Sequence, residues 1–195
     1  MIKDKITKDL KIAISDSIKK TKDLNIEHGF FICQNKDGKL IPSETRCIGD
    51  KCGIRPSISP RPCQGEIQGF FHVHPQKDLL LDLEKKIGRN ATEEDIKHLK
   101  FTDIKGVESR VQMPSHVDIL MTLIKKCDKF WHGTACIAGD IEPDKVECWT
   151  VKKNAANFMN CLHARIDRSF DKNYNGSPKK WIRPLFDTEI IDLEE

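Results

Sequence analysis

The chain has 195 residues, 38% of them apolar and 32% charged, with a net charge of +3 from 33 basic and 30 acidic side chains. That length suits one domain with a real core, and so slight a charge gives no argument for a nucleic-acid partner. No apolar run is long enough to span a bilayer and no secretory h-region stands at the N-terminus, so a cytoplasmic protein without a membrane partner is expected.

Residues 1–22 carry seven lysines and three aspartates, whereas "DTEIIDLEE" at the other end is acidic. Both read as solvated surfaces, a helix and a tail, rather than as partner-binding segments. "DKITKDLKIAISDSIKKTKDL" places Ile6, Leu10, Ile14 and Ile18 at helical spacing with lysines opposite, which predicts a helix. "IEHGFFIC" then reads as a strand, "NKDG" as a turn with an Asp-Gly signal, and "KLIP" as the returning strand.

The next segment, "CIGDKCGIRPSISPRPC", holds Cys47, Cys52 and Cys63 on a loop rich in proline and glycine. Eight cysteines are many for an intracellular chain, and none form the CxxC pairs of a zinc ribbon. Three readings stay open for these three: free thiols, a structural disulfide such as Cys47–Cys52, or part of a second, structural metal site. Disulfides are uncommon in a reducing cytosol, hyperthermophile interiors excepted.

"EIQGFFHVHP" predicts a strand closed by Pro75. Residues 77–112 read as an inserted, mostly helical segment, with one helix stopping at Gly88 and another capped by Thr92. "MPSHVDILMTLIKKC" predicts a helix capped by Ser115, with Val117, Leu120, Ile124 and Cys127 as its apolar stripe. "GTACIAGD" and "KVECWTV" form a hairpin, and "NAANFMNCLHARIDRSF" a helix. "NYNGSPKK" then leads into a C-terminal extension over 171–195. The order helix, strands, helix, strands, helix predicts a single α+β domain, an α/β/α sandwich.

Chemistry concentrates around "HVHP". Side chains alternate along a strand, so His72 and His74 share a face while Phe71 and Val73 point to the core. A catalytic zinc takes three protein ligands and keeps one position for water. On the Ser115 helix, Ser115 and Asp118 lie three apart on one face, with Thr122 a turn beyond. A buried aspartate on an apolar helix is costly unless paired or ligating, which makes Asp118 the candidate third ligand. Glu27, the lone acid at the head of "IEHGFFIC", is the candidate general base for a water acidified by metal. His28 should face the other side of its strand, and His116 lies off the motif face. His98, His132 and His163 lack partners at ligand spacing, Trp131, Trp149 and Trp181 read as packing residues, and no cysteine nucleophile stands out.

A glutamate on an early strand, then His-x-His-Pro, then Ser-x-x-Asp resembles the JAMM motif of the MPN+ (JAB domain) zinc metalloproteases. Here those elements are Glu27, "HVHP" at 72–75 and "SHVD" at 115–118, and the resemblance covers roughly residues 20–165. It implies a curved mixed β-sheet flanked by helices and a zinc-dependent peptidase or isopeptidase acting on protein substrates, ubiquitin-like conjugates among them. It also implies one catalytic Zn2+ held by His72, His74 and Asp118, with Glu27 activating water and Ser115 hydrogen-bonding the developing oxyanion. The chain departs from the family in spacing: forty residues separate His74 from Ser115, far more than is usual. The helical insertion at 77–112 must therefore leave and re-enter the site, as a lid, a substrate-binding element or a decorative hairpin. Alternatives from other classes are a non-catalytic MPN-type scaffold and a RadC-like protein associated with nucleic acid. "PSxxDxxxT" at 114–122 is similar to the latter branch, but its "SG" after the histidines is missing.

Overall fold

The computed structural model describes residues 1–48, 63–75, 81, 83–85, 87–92, 95, 100–102, 108–110, 114–139, 144–170 and 178–194. Its frame is a six-stranded mixed sheet with helices on both faces. The N-terminal helix α1 (Lys8–Leu24) starts at Thr7, whose hydroxyl accepts from Leu10 N at 3.2 Å, and ends at Asn25 in the left-handed conformation. Its predicted stripe is the buried one: Leu10, Ile14 and Ile18 lie against Phe30, Ile32, Phe71 and Val73 of the sheet. Each such Leu or Ile contributes roughly 1.5–3 kcal/mol by leaving water.

The strands are β1 (His28–Gln34), β2 (Leu40–Ile48), β3 (Glu66–His74), β4 (Lys100–Thr102), β5 (Glu108–Arg110), β6 (Thr134–Gly139), β7 (Lys145–Val151) and β8 (Phe186–Asp192). In the main sheet they run in the order β2-β1-β3-β6-β7-β8, and β4 and β5 pair separately. Only β3 and β6 run parallel; every other neighbouring pair is antiparallel. A parallel pair needs a crossover, and α2 (His116–Cys127) lies on it between β3 and β6. Ile119, Leu120 and Leu123 of α2 join Ala164 of α3 (Phe158–Phe170) in covering the face opposite α1. The predicted α/β/α layering is what the packing forms.

Several expectations need correction. The apolar stripe expected on α2 is displaced by one arc: His116, Ile119, Leu120, Thr122 and Leu123 are its buried residues. The helix is wedged between sheet and α3, so two adjacent arcs are used, and Ile124 and Cys127 meet the α3 side only partly buried. In the predicted helical insertion, Gly88 closes a helical turn and Thr92 caps Asp95 as expected. The same segment also holds an antiparallel pairing of Lys100–Thr102 with Glu108–Arg110. The rest of 77–112 lies outside the described residues. The acidic C-terminal segment is no solvated tail; it is β8, an edge strand paired along β7 from Phe186 to Asp192. Phe186 at its start and Ile191 near its end are buried on opposite faces of the sheet, and the acids Asp187, Glu189 and Asp192 are not buried.

Of the three readings left open for the loop cysteines, Cys63 takes the disulfide one, with a partner outside the loop. Cys33 bonds Cys63, Cys127 bonds Cys161, and Cys136 bonds Cys148. The chain re-enters the sheet at β3 beside β1, which brings Cys63 to Cys33 with a Cα separation of 5.6 Å. Cys63 is thereby removed from the proposed Cys47, Cys52 and Cys63 metal set. Cys52 and the Cys47 side chain lie outside the described residues. No helix among the described residues is long and apolar enough to cross a membrane.

Candidate metal centre

Strand alternation places Phe70, His72 and His74 of β3 on one face, with Phe71 and Val73 in the α1 core. Antiparallel register sets Gly29 opposite His72 and His28 opposite Val73. Glu27, the residue before β1, therefore falls on the same face and at the same end as His74. His28 turns toward α1, where its Nδ1 lies 3.0 Å from the Ile26 carbonyl and 3.4 Å from Thr21 Oγ1. Gly29 makes the close approach of β1 to His72 feasible. A β-carbon there would strike the Phe71 carbonyl oxygen and lie 2.8 Å from His72 Cβ.

Asp118 arrives from the crossover. β3 ends at His74 and α2 begins at the same edge of the sheet, so topology closes the gap that forty residues open in sequence. Clefts beyond the carboxyl ends of parallel strands are where α/β sheets gather ligands. Ser115 is the N-cap of α2 and forms a full capping box. Its Oγ accepts from Asp118 N at 3.2 Å, while its own N–H and hydroxyl donate to Asp118 Oδ2 at 2.8 and 2.7 Å. Thr122 Oγ1 donates to the Asp118 carbonyl one turn on, at 2.7 Å. The carboxylate is thus oriented through Oδ2, and Oδ1 is turned to His72.

Four groups converge. His72 Nε2 and His74 Nε2 are 2.9 Å apart, Asp118 Oδ1 is 3.6 Å from His72 Nε2, and Asp118 Oδ2 is 3.8 Å from His74 Nε2. Glu27 offers a carboxylate oxygen such that it, His72 and His74 all lie within 4.8 Å of one another. Metal–ligand distances of about 2.0–2.2 Å in a tetrahedron set ligand atoms roughly 3.3–3.6 Å apart, and the observed spacings straddle that value. The Glu27–His72–His74 group could hold a metal ion, and Asp118 extends it. The His72 side chain is 8% exposed and those of His74 and Asp118 are 21% exposed, so the centre opens on the His74–Asp118 side.

Electrostatics favour the same state. Burial lowers the His72 pKa to about 4, with attraction to Asp118 opposing the shift and repulsion from His74 adding to it. Burial pushes Asp118 upward, but His72, His74 and the Ser115 hydrogen bonds outweigh it and hold the carboxyl below its ordinary value. At neutral pH His72 is a neutral imidazole beside an ionised carboxylate, the protonation that divalent metals require of such ligands. His72 Nδ1 is buried with no hydrogen-bond partner among the described residues.

Of the residues singled out in the sequence, Glu27, His72, His74, Ser115 and Asp118 come together. Cys63 lies elsewhere, bonded to Cys33 on an apolar cluster with Phe31 and Trp131. The Ser115 hydroxyl is engaged with Asp118. Two features went unnoticed in the sequence. Gly29 had a signal, since a glycine inside an apolar strand marks a close backbone approach. His116, set aside as off the motif face, is fully buried. Its partners are distant in sequence and no local pattern announces them. Compared with known proteins, the chain matches no family model, no curated protein and no solved structure.

Proposed function

We propose that this centre holds zinc and hydrolyses peptide or isopeptide bonds of protein substrates, ubiquitin-like conjugates being the substrate class. The observation that carries the reading is convergence. Glu27, His72, His74 and Asp118 come from three separated segments: Glu27 lies within 4.8 Å of the ligand atoms of both imidazoles, and Asp118 approaches His72 at 3.6 Å and His74 at 3.8 Å. The mixed sheet between helices is compatible with the MPN-like fold that the motif resemblance implies.

In this reading His72, His74 and Asp118 hold the metal. A bound zinc ion supplies a Lewis acid for the scissile carbonyl and acidifies water toward neutrality. Glu27 takes the proton of the attacking water and returns it to the leaving nitrogen as the C–N bond breaks, so the reaction consumes one water and leaves an acid and an amine. Ser115 fixes Asp118 through its N–H and hydroxyl. A role as donor to the developing oxyanion requires that hydroxyl to turn away from Asp118 Oδ2.

The nearness of Glu27 to both imidazoles favours a second reading from another class: Glu27 as a fourth ligand of a closed, structural site on a binding module. One variant separates the two. Glu27→Gln that keeps about one zinc per chain and loses cleavage of ubiquitin-like fusions marks Glu27 as the base. Loss of zinc from the same variant marks it as a ligand, and wild type that takes up no zinc removes both readings.

A further inference from the structure

Beneath the first turn of α2 lies a second polar cluster that the reaction does not use. His116, the residue after the Ser115 cap, has no exposed surface. Its Nε2 lies 3.1 Å from Asp167 Oδ2 on α3, and its Nδ1 accepts from the Lys179 backbone N–H at 3.3 Å. With Nδ1 accepting, Nε2 carries the proton and donates to Asp167, so the tautomer and the ring plane are both fixed. Asp167 Oδ2 also accepts from Trp181 Nε1 at 2.9 Å, and Asp167 Oδ1 pairs with Lys179 Nζ. His163 stacks on the Trp181 ring with centroids 4.0 Å apart.

Such a network is an expensive way to fill space, because apolar residues of similar volume are often as stable as a buried ion pair. What it adds is fixed direction. His116 is the first helical residue of α2, between the cap Ser115 and the ligand Asp118. Its ring is tied at both nitrogens to elements from α3 and from residues 178–183, which themselves bring nothing to the metal. Partners that orient a metal ligand from behind commonly change metal affinity by about 10–100-fold when removed.

We propose that His116, Asp167, Lys179 and Trp181 are positioning residues for the metal centre, and that residues 178–181 are thereby part of the site's machinery. They act through the α2 first turn, holding the Asp118 carboxylate toward His72 and His74. This rests on the metal reading above.

The test is cobalt binding, measured by competition with a chelator and by the visible absorption of the bound ion, on variants whose fold is checked by circular dichroism. His116→Leu and Asp167→Asn should lose about 10-fold or more in cobalt affinity and alter the absorption band. His116→Gln, which keeps a donor toward Asp167, should recover most of the loss. Trp181→Phe, which removes one donor and keeps a ring, is the milder substitution if those variants do not fold, and about threefold is expected of it. The control is Cys127→Ala with Cys161→Ala, which loosens the same two helices at the far end of α2 and should leave affinity and spectrum unchanged. Folded variants with wild-type affinity and spectrum, or a control that loses as much, overturn the proposal while the metal reading stands. Wild type that binds no cobalt or zinc overturns both.

Discussion

His72 is a poor residue for a core and a good one for a metal. Its ring is buried and Nδ1 has no partner among the described residues, an arrangement that costs roughly 1–3 kcal/mol in the metal-free protein. Burial also holds its pKa at about 4, below the 6.5 of an exposed histidine. The unfolded chain therefore takes up this proton first as pH falls. Metal-free stability should be full above about pH 6.5 and lost on the way down to about pH 4, by up to about 3 kcal/mol. His72→Leu removes both penalties. Thermal melts with chelator present should show the variant at least as stable as wild type at pH 7, with a flatter decline between pH 6.5 and 4. Its metal binding should be abolished. A variant that is less stable than wild type at both pH values would mean that the imidazole makes favourable contacts in the metal-free core.

At the scale of elements, the candidate metal centre depends on where α2 starts, and the capping box fixes that start, while the disulfide at the far end of the helix serves stability rather than the site. The capping box at Ser115 and Asp118 is local, and it was legible because Ser-x-x-Asp ahead of an apolar run is a helix-start signature. The alternation in "FFHVH" was legible for the same reason: one face of β3 is core and the other carries the site. The tie at the other end of α2 was not legible. Cys127 and Cys161 are 34 positions apart, and nothing in a count of eight cysteines picks that pairing out. The same holds for Cys63, whose partner Cys33 is decided by strand order rather than by the loop in which Cys63 sits. β8 escaped notice because its acids mask a strand that needs only β7 and two buried side chains. Cross-linking 34 positions removes unfolded-chain entropy worth about 3–4 kcal/mol. Cys127→Ala with Cys161→Ala should lower stability by about that much, seen as an earlier urea midpoint. An unchanged midpoint would show the two thiols unpaired in solution.

For the whole molecule, the strand order explains how a site can be split by forty residues and still close. β1 and β3 run antiparallel and α2 crosses over to β6, so the start of β1, the end of β3 and the start of α2 share one rim of the sheet. A chain leaving at Pro75 returns at Pro114 on that rim whatever its length. Lengthening such an excursion is cheap, about 0.6 kcal/mol for each doubling, so the insertion needs no function to be tolerated. What gives it a candidate role is its attachment in the chain, directly after His74 and Pro75 and directly before Pro114 and Ser115. None of the four converging groups lies within it. Removing residues 79–110 and bridging the ends with a short flexible linker should therefore leave zinc affinity within about threefold of wild type, measured by chelator competition. If the segment is a lid or a binding element for the conjugate, turnover of ubiquitin-like fusions should fall at least about 10-fold in the same protein, because closure and substrate orientation supply much of a barrier's lowering. Undiminished turnover identifies a decorative hairpin. Loss of zinc would show instead that the insertion buttresses the rim, so that the site depends on it as well as on Asp167, Lys179 and Trp181.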